Sequence, residues 1–183
     1  MFKFIETDIK DLFIIEPQLF GDNRGYFFET YKKKEFDEAG LIYNFVQDNQ
    51  SKSKKGVLRG LHFQKKYPQA KLVRVLEGEV FDVAVDLRKD SKTYGKYVGV
   101  ILSEKNKRMF MIPKGFAHGF VVLSETATFC YKCDELYHPE DEGGIMWNDP
   151  DIGIEWPYND EPLLSEKDRN NLYLKDIHIE FIV

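Results

Sequence analysis

The sequence is poor in several things at once. Two cysteines among 183 residues cannot make the disulfide framework of a small secreted domain and fit a reducing compartment. An excess of basic charge is missing: 26 Lys and Arg against 31 Asp and Glu leave a net charge of -5. The broad cationic face that grips a nucleic-acid backbone is therefore absent. An anionic small molecule is not excluded, because a pocket needs only a few local cations. Long apolar runs are missing too; Leu12 to Ile15 and Phe120 to Leu123 fall far short of a membrane span. Near the N-terminus, Lys3, Glu6, Asp8, Lys10 and Asp11 interrupt any signal-peptide core. No internal repeat, low-complexity tract or Pro/Gly/Ser linker divides the chain. A soluble, cytoplasmic single domain over 1–183 is expected, with neither nucleic acid nor membrane as partner.

Aromatic residues are plentiful, at 15% of the chain, which favours strands and ring-lined pockets. Turn signals are spread evenly: Gly21-Asp22-Asn23, Lys55-Gly56, Glu77-Gly78, Pro113-Lys114-Gly115, Gly143-Gly144 and Asn148-Asp149-Pro150. Short strands between such turns suggest a sandwich or barrel. Alternation places Phe81, Val83, Val85 and Leu87 on one strand face, with Asp82, Ala84 and Asp86 on the other. Leu72 to Leu76 precedes that strand, and Glu77-Gly78 predicts a hairpin between the two. Further strands are expected at Val98 to Leu102, Arg108 to Ile112, Gly119 to Leu123 and Thr126 to Cys133. Helices are few: Lys33 to Ala39, closed by Gly40, and Ser165 to Asn171 with Ser165 as N-cap. The expected fold is all-β, a double-sheet jelly roll or cupin-like β-sandwich with a few short helices.

The segment Val57-Leu58-Arg59-Gly60-Leu61-His62-Phe63-Gln64 is an odd choice for packing alone. Strict alternation puts Arg59 and His62 on opposite faces, and a bulge at Gly60 would bring them together. The pair then reads either as a base beside a cation or as a core histidine with a rim arginine. His118 follows a Pro- and Gly-rich turn onto an apolar strand, which suits either a donor aimed into a cavity or a structural histidine. His138 and His178 read as solvated, and Lys52 to Lys55 as a solvated loop. Cys130 and Cys133 form a CxxC, but positions i and i+3 on a strand face opposite ways. The same alternation sends Phe129, Tyr131 and Cys133 to one face. Tyr131 there is either a core ring or a proton donor. Ser165-x-x-Asp168 matches a capping box loosely, so Asp168 has a structural role available beside that of orienting a histidine. No H-x-H or H-x-x-x-H spacing is present, and no metal site is expected.

Four stretches, in order, carry a resemblance. They are Phe20 to Glu29; Gln47-Asp48-Asn49 running on to Gly56 to His62; Pro113 to Phe120; and Tyr131-Lys132-Cys133 with Trp147-Asn148-Asp149-Pro150. Together they resemble the dTDP-4-dehydrorhamnose 3,5-epimerase family of jelly-roll sugar-nucleotide epimerases, from about the N-terminus to Arg169. The resemblance implies no metal and no cofactor, and a dTDP-4-dehydro-6-deoxy-D-glucose substrate inverted at carbons 3 and 5. Both carbons adjoin the keto group, so abstraction gives an enolate. The site then needs a base, an oxyanion stabiliser and an acid on the opposite ring face.

By resemblance, His62 is the base and Asp168 its orienting partner, with Asp82 a rival for that place. Lys71 matches the cation near the developing enolate, where His118 adds a hydrogen bond, and Tyr131 matches the acid. Arg24, Arg59 and Lys167 match cationic substrate contacts. Glu29, Gln47, Asn49 and Glu142 match polar contacts, and Tyr137 a ring that stacks on thymine. The family also implies a homodimer whose N-terminal segments cross, so that Arg24 and Glu29 serve the neighbour's site. Asp134 and Leu136 depart from the usual Thr and aromatic beside Tyr137, which bears on nucleotide preference. Other readings are a 3-epimerase, a 3,4-ketoisomerase, a non-catalytic sugar-nucleotide-binding jelly roll, and a metal-dependent cupin that lacks its ligand cluster here.

Overall fold

A computed structural model describes residues 1–178 and Phe181. It is built almost wholly from antiparallel strands. In chain order these are β1 (Phe2–Glu6), β2 (Phe13–Pro17), β3 (Phe20–Asp22), β4 (Gly25–Phe27), β5 (Gln47–Lys54), β6 (Leu58–Gln64), β7 (Lys71–Glu77), β8 (Glu79–Asp86), β9 (Tyr97–Ser103), β10 (Met109–Ile112), β11 (Phe116–Val122), β12 (Thr126–Cys133) and β13 (Glu142–Gly144). The α-helices are α1 (Lys33–Glu38) and α2 (Glu166–Arg169). One sheet has the order β1-β2-β10-β7-β12-β5 and the other β13-β6-β11-β8-β9. The pair makes the jelly-roll sandwich. No described helix is long and apolar enough to cross a membrane.

The predicted strands are present, and β12 has the bounds read from the sequence. Both helices form, α1 with Gly40 just beyond its end at φ +82°. Ser165 caps α2 by accepting the Asp168 amide. The hairpin expected at Glu77-Gly78 does not form, because β7 and β8 belong to different sheets. Gly78 lets the chain cross from one sheet to the other. Its φ is +81°, and a Cβ there would meet the Thr126 carbonyl oxygen at 2.1 Å.

Three apolar clusters hold the layers. Val73, Val75, Phe110 and Phe129 meet Val80, Ala84, Leu102, Phe120 and Val122 between the sheets. Leu61, Phe63, Val83, Val85 and Leu87 lie on the outer side of the five-stranded sheet, beneath Ile145, Ile152 and Leu174. Phe36 of α1 packs with Ile15, Leu72, Met109 and Met111 outside the other sheet. Both sheets are thus covered on both sides over much of their area. The alternation read on β8 holds with both faces covered: Asp82 and Ala84 point into the sandwich, and Asp82 is fully buried. Lys52 to Lys54 are strand rather than loop, at the end of β5. His138 is half-buried and stacks on Tyr67, with ring centroids 4.1 Å apart.

Candidate active site

One cavity of about 790 Å³ opens between the sheets, within the size range of ligand pockets. The five-stranded sheet contributes Leu58, Arg59, His62, His118 and Phe120, and the six-stranded sheet Asn49, Ser51, Lys71, Phe129 and Tyr131. Tyr137, Glu142, Leu163, Leu164, Ser165, Lys167 and Asp168 line it as well.

The bulge in β6 is real. His118 pairs with His62 and Phe120 with Arg59, so three steps on β6 face two on β11. The extra residue turns Arg59 and His62 toward one cavity. Gly60 is required at this place: its φ is +130°, and a Cβ would meet Gly119 Cα at 2.6 Å. Arg59 Nε donates to Ser53 Oγ at 3.1 Å.

Two histidine–aspartate pairs result. His62 Nε2 lies 2.5 Å from Asp168 Oδ1, and its other ring nitrogen is 3.8 Å from Glu142 Oε1. His118 Nε2 lies 3.0 Å from Asp82 Oδ2. The rivalry between the two aspartates resolves geometrically: Asp168 holds His62, and Asp82 holds His118. Burial alone would raise the Asp168 pKa, but hydrogen bonds from His62 and Ser165 outweigh it and hold the carboxyl below its usual range. Burial pushes Asp82 the other way, against the pull of His118 and Lys71.

Opposite this wall, Tyr131 and Lys71 come from the six-stranded sheet. Among the described residues, neither the Tyr131 hydroxyl nor the Lys71 ammonium has a hydrogen-bond or ion-pair partner. Burial raises the Tyr131 pKa, so the phenol keeps its proton at neutral pH. Burial lowers the Lys71 pKa, while Cys133, Glu142 and Asp82 pull it back up. Cys133 stands opposite Lys71 in register, its thiol pushed up to about 11 by burial. With Cys130 facing the other way and both thiols free, the CxxC is not a site.

At the cavity mouth Glu142 accepts from Tyr137 Oη at 2.7 Å and pairs with Lys167. Burial works to raise its pKa; the Lys167 and Tyr137 hydrogen bonds bring it below the ordinary value. Tyr137, though exposed, is pushed up to about 12, chiefly by its hydrogen bond to Glu142. Gln47 does not line the cavity but organises it. Its Oε1 accepts the Tyr137 amide at 2.9 Å, and its Nε2 donates to Asn49 Oδ1 at 3.1 Å.

Arg24 and Glu29 are not brought to this cavity. Arg24 is on the exposed β3–β4 turn, bonded to Asp22, and Glu29 pairs with Lys32 and the N-terminal ammonium. The sequence reading missed Ser51, Leu163 and Leu164 as lining residues. The small and amide side chains Gln47, Asn49, Ser51 and Ser53 at every second position were the available sign of a strand facing a polar cavity. Among the described residues, no cluster of three or more His, Cys, Asp or Glu side chains could hold a metal ion.

The family model described as dTDP-4-dehydrorhamnose 3,5-epimerase matches residues 6–176, a span that includes every cavity wall. The chain belongs to the dTDP-4-dehydrorhamnose 3,5-epimerase family. A family member from Methanothermobacter thermautotrophicus is 59% identical over 171 residues, covering 92% of each protein. The Salmonella typhimurium member is 60% identical over 166 residues, covering 90% of this chain and 91% of that protein. Among solved structures, an epimerase of Legionella pneumophila in complex with dTDP-4-keto-L-rhamnose superposes with a TM-score of 0.96 at 51% identity. That match covers all of both chains.

Proposed function

We propose that the chain inverts carbons 3 and 5 of dTDP-4-dehydro-6-deoxy-D-glucose, giving dTDP-4-dehydro-L-rhamnose in dTDP-rhamnose biosynthesis. The observation that carries this reading is the division of proton-handling groups between two sheets. His62 with Asp168 stands on one wall of the cavity, and the unpartnered Tyr131 hydroxyl on the other. A sugar ring between them meets a base on one face and an acid on the other.

In each inversion the ring nitrogen of His62 not bonded to Asp168 takes the proton from the carbon next to the ketone. The C–H electron pair moves into the carbonyl and leaves an enolate oxygen at carbon 4. Lys71 and His118 face that oxygen as donors. Tyr131 then delivers its hydroxyl proton to the opposite face of the same carbon, the enolate collapses to the ketone, and exchange with solvent resets both groups. Asp168 fixes the imidazole and stabilises its cationic form. Arg59 and Lys167 supply charge for the diphosphate, and Asn49, Gln47 and Glu142 order the mouth where Tyr137 offers a ring to the base.

Arg24 and Glu29 act, in this reading, across a homodimer with exchanged N-terminal segments. Support comes from the β3–β4 hairpin, which leaves Phe20, Tyr26 and Phe27 more than half exposed beside Arg24. We place the enzyme in the cytoplasm, which suits its two free thiols.

The test is proton NMR of the substrate with the protein in heavy water, with product trapped by a reductase. Deuterium entering at both carbons 3 and 5 is expected. Exchange at carbon 3 alone means a 3-epimerase; no exchange with nucleotide still bound means a ketoisomerase or a binding module. In the same assay Tyr131→Phe is expected to keep exchange while losing inversion by about 100-fold. Unimpaired inversion by that variant would remove Tyr131 as the acid.

A further inference from the structure

Residues 165–172 present Asp168 to His62, and beside the His62–Asp168 and Lys167–Glu142 pairs they are held against the strand pair by contacts at the end of β13. Met146 N donates to the Leu172 carbonyl at 2.9 Å in an isolated bridge between Ile145 and Leu172. The second contact is between Gly144 and Asn171. Gly144, the last residue of β13, is paired in register with His62. Asn171 is three residues beyond Asp168. A Cβ placed on Gly144 would lie 2.3 Å from Asn171 Oδ1 and 2.6 Å from its Cγ. The Gly144 backbone is not in the left-handed region, so the demand for glycine here comes from the Asn171 side chain and not from φ.

Asn171 carries a second oddity. Its Nδ2 is the one side-chain nitrogen or oxygen among the described residues that is wholly sealed from solvent and has no hydrogen-bond partner. Folded proteins rarely leave such a donor unpaired, and apolar packing would fill the same space without one. The amide lies instead over the bare backbone of Gly144, on the same face of the strand pair as the base that Gly144 is paired with.

We propose that Asn171 is a positioning residue for proton abstraction: seated on Gly144, it sets the gap between the strand pair that carries His62 and the helical turn that carries Asp168. The inference rests on the epimerase reading above. It explains a glycine that the backbone does not require and a buried amide that hydrogen bonding does not explain.

The experiment compares wild type, Gly144→Ala, Asn171→Ala and the Gly144→Ala/Asn171→Ala double variant. The readouts are kcat, KM and Tm with the dTDP-4-dehydro sugar, and deuterium exchange at carbons 3 and 5. Gly144→Ala is expected to lower kcat and the exchange rate about tenfold with KM nearly unchanged, since small displacements of reacting groups weigh heavily on rate. Asn171→Ala is expected to lower kcat less. The double variant, with a methyl in the space the amide vacates, is expected to recover most of the loss. Wild-type kcat in Gly144→Ala overturns the proposal, as does a loss borne by KM. So does a double variant no better than its poorer parent. If Gly144→Ala does not fold, Asn171→Ala against the double variant decides by the same rule. An inactive wild type would instead sink the epimerase reading itself.

Discussion

The two histidine–aspartate pairs at the cavity are alike in chemistry and unlike in setting. Asp168 arrives on a single helical turn, with its own amide bonded to Ser165 and its carboxylate bonded to a histidine whose side chain is 28% exposed. Asp82 sits mid-strand with no exposure, against a histidine that is 8% exposed. Their pKa values move in opposite directions, down for Asp168 and up for Asp82. Hydrogen bonds aimed at a carboxylate favour its charge; enclosure between sheets disfavours it. A base needs a partner whose charge is favoured and access to substrate, and only the first pair offers both. The second is a buried donor held in place, its carboxyl drawn back toward the charged form by His118 and nearby Lys71.

The largest test of that contrast is removal of the imidazole in the first pair. His62→Ala is expected to reduce kcat by about 1,000-fold or more, the scale of general-base catalysis, and to abolish deuterium exchange at both carbons while nucleotide binding persists. Exchange at the wild-type rate would transfer the base role elsewhere in the cavity.

Asp168→Asn is expected to reduce kcat by about 100-fold, because the amide neither fixes the tautomer nor balances an imidazolium. It also has a signature in stability. A carboxyl whose folded pKa is depressed stabilises the fold above its ordinary pKa and loses that contribution as pH falls through the folded value. Thermal melts should therefore show wild type above Asp168→Asn at pH 7, with the gap closing below about pH 4. A gap that stays constant across that range would mean that the His62 contact contributes nothing through charge.

The part of this contrast legible in the sequence is instructive. Glycine inside an apolar strand announced the bulge that joins Arg59 to His62, and serine three residues before Asp168 announced the cap. Both are local signals that depend on backbone geometry. Which side of β8 faces the sandwich was not legible, because alternation identifies a core face only when the other face is wet. On β8 the outer face is covered by Ile152 and Leu174, so the face with fewer hydrophobic groups was the interior one. Strand β5 was hidden for a related reason. Its inward residues are polar because Asn49 and Ser51 line the cavity and Gln47 and Ser53 bond to residues that do, so no apolar period marks it. The sheet switch at Gly78 was unreadable because a tight glycine turn looks the same whether its strands pair or part. In each case the missing knowledge was what covers a strand, which only the tertiary structure supplies.

The smallest expected effect sharpens the comparison most. Asp82→Asn keeps shape and hydrogen bonding toward His118 but removes the buried ionisable group. A carboxyl whose folded pKa is raised favours folding below its ordinary pKa, and that advantage is lost as pH rises through the folded value. At pH 7, where the carboxyl would be ionised in the unfolded chain, burying it is thus a burden on the fold that a neutral isostere relieves. Asp82→Asn is expected to leave Tm at pH 7 unchanged or higher, the reverse of Asp168→Asn. Its kcat is expected to fall only about tenfold, through a His118 that polarises the enolate oxygen less well. Melting curves of both variants from pH 5 to pH 8 make the check. A lowered Tm for Asp82→Asn would mean that attraction to His118 and Lys71 exceeds the desolvation penalty. The second pair would then be a stabilising ion pair like the first, and the division between a wet, ionised dyad and a dry, held donor would fail.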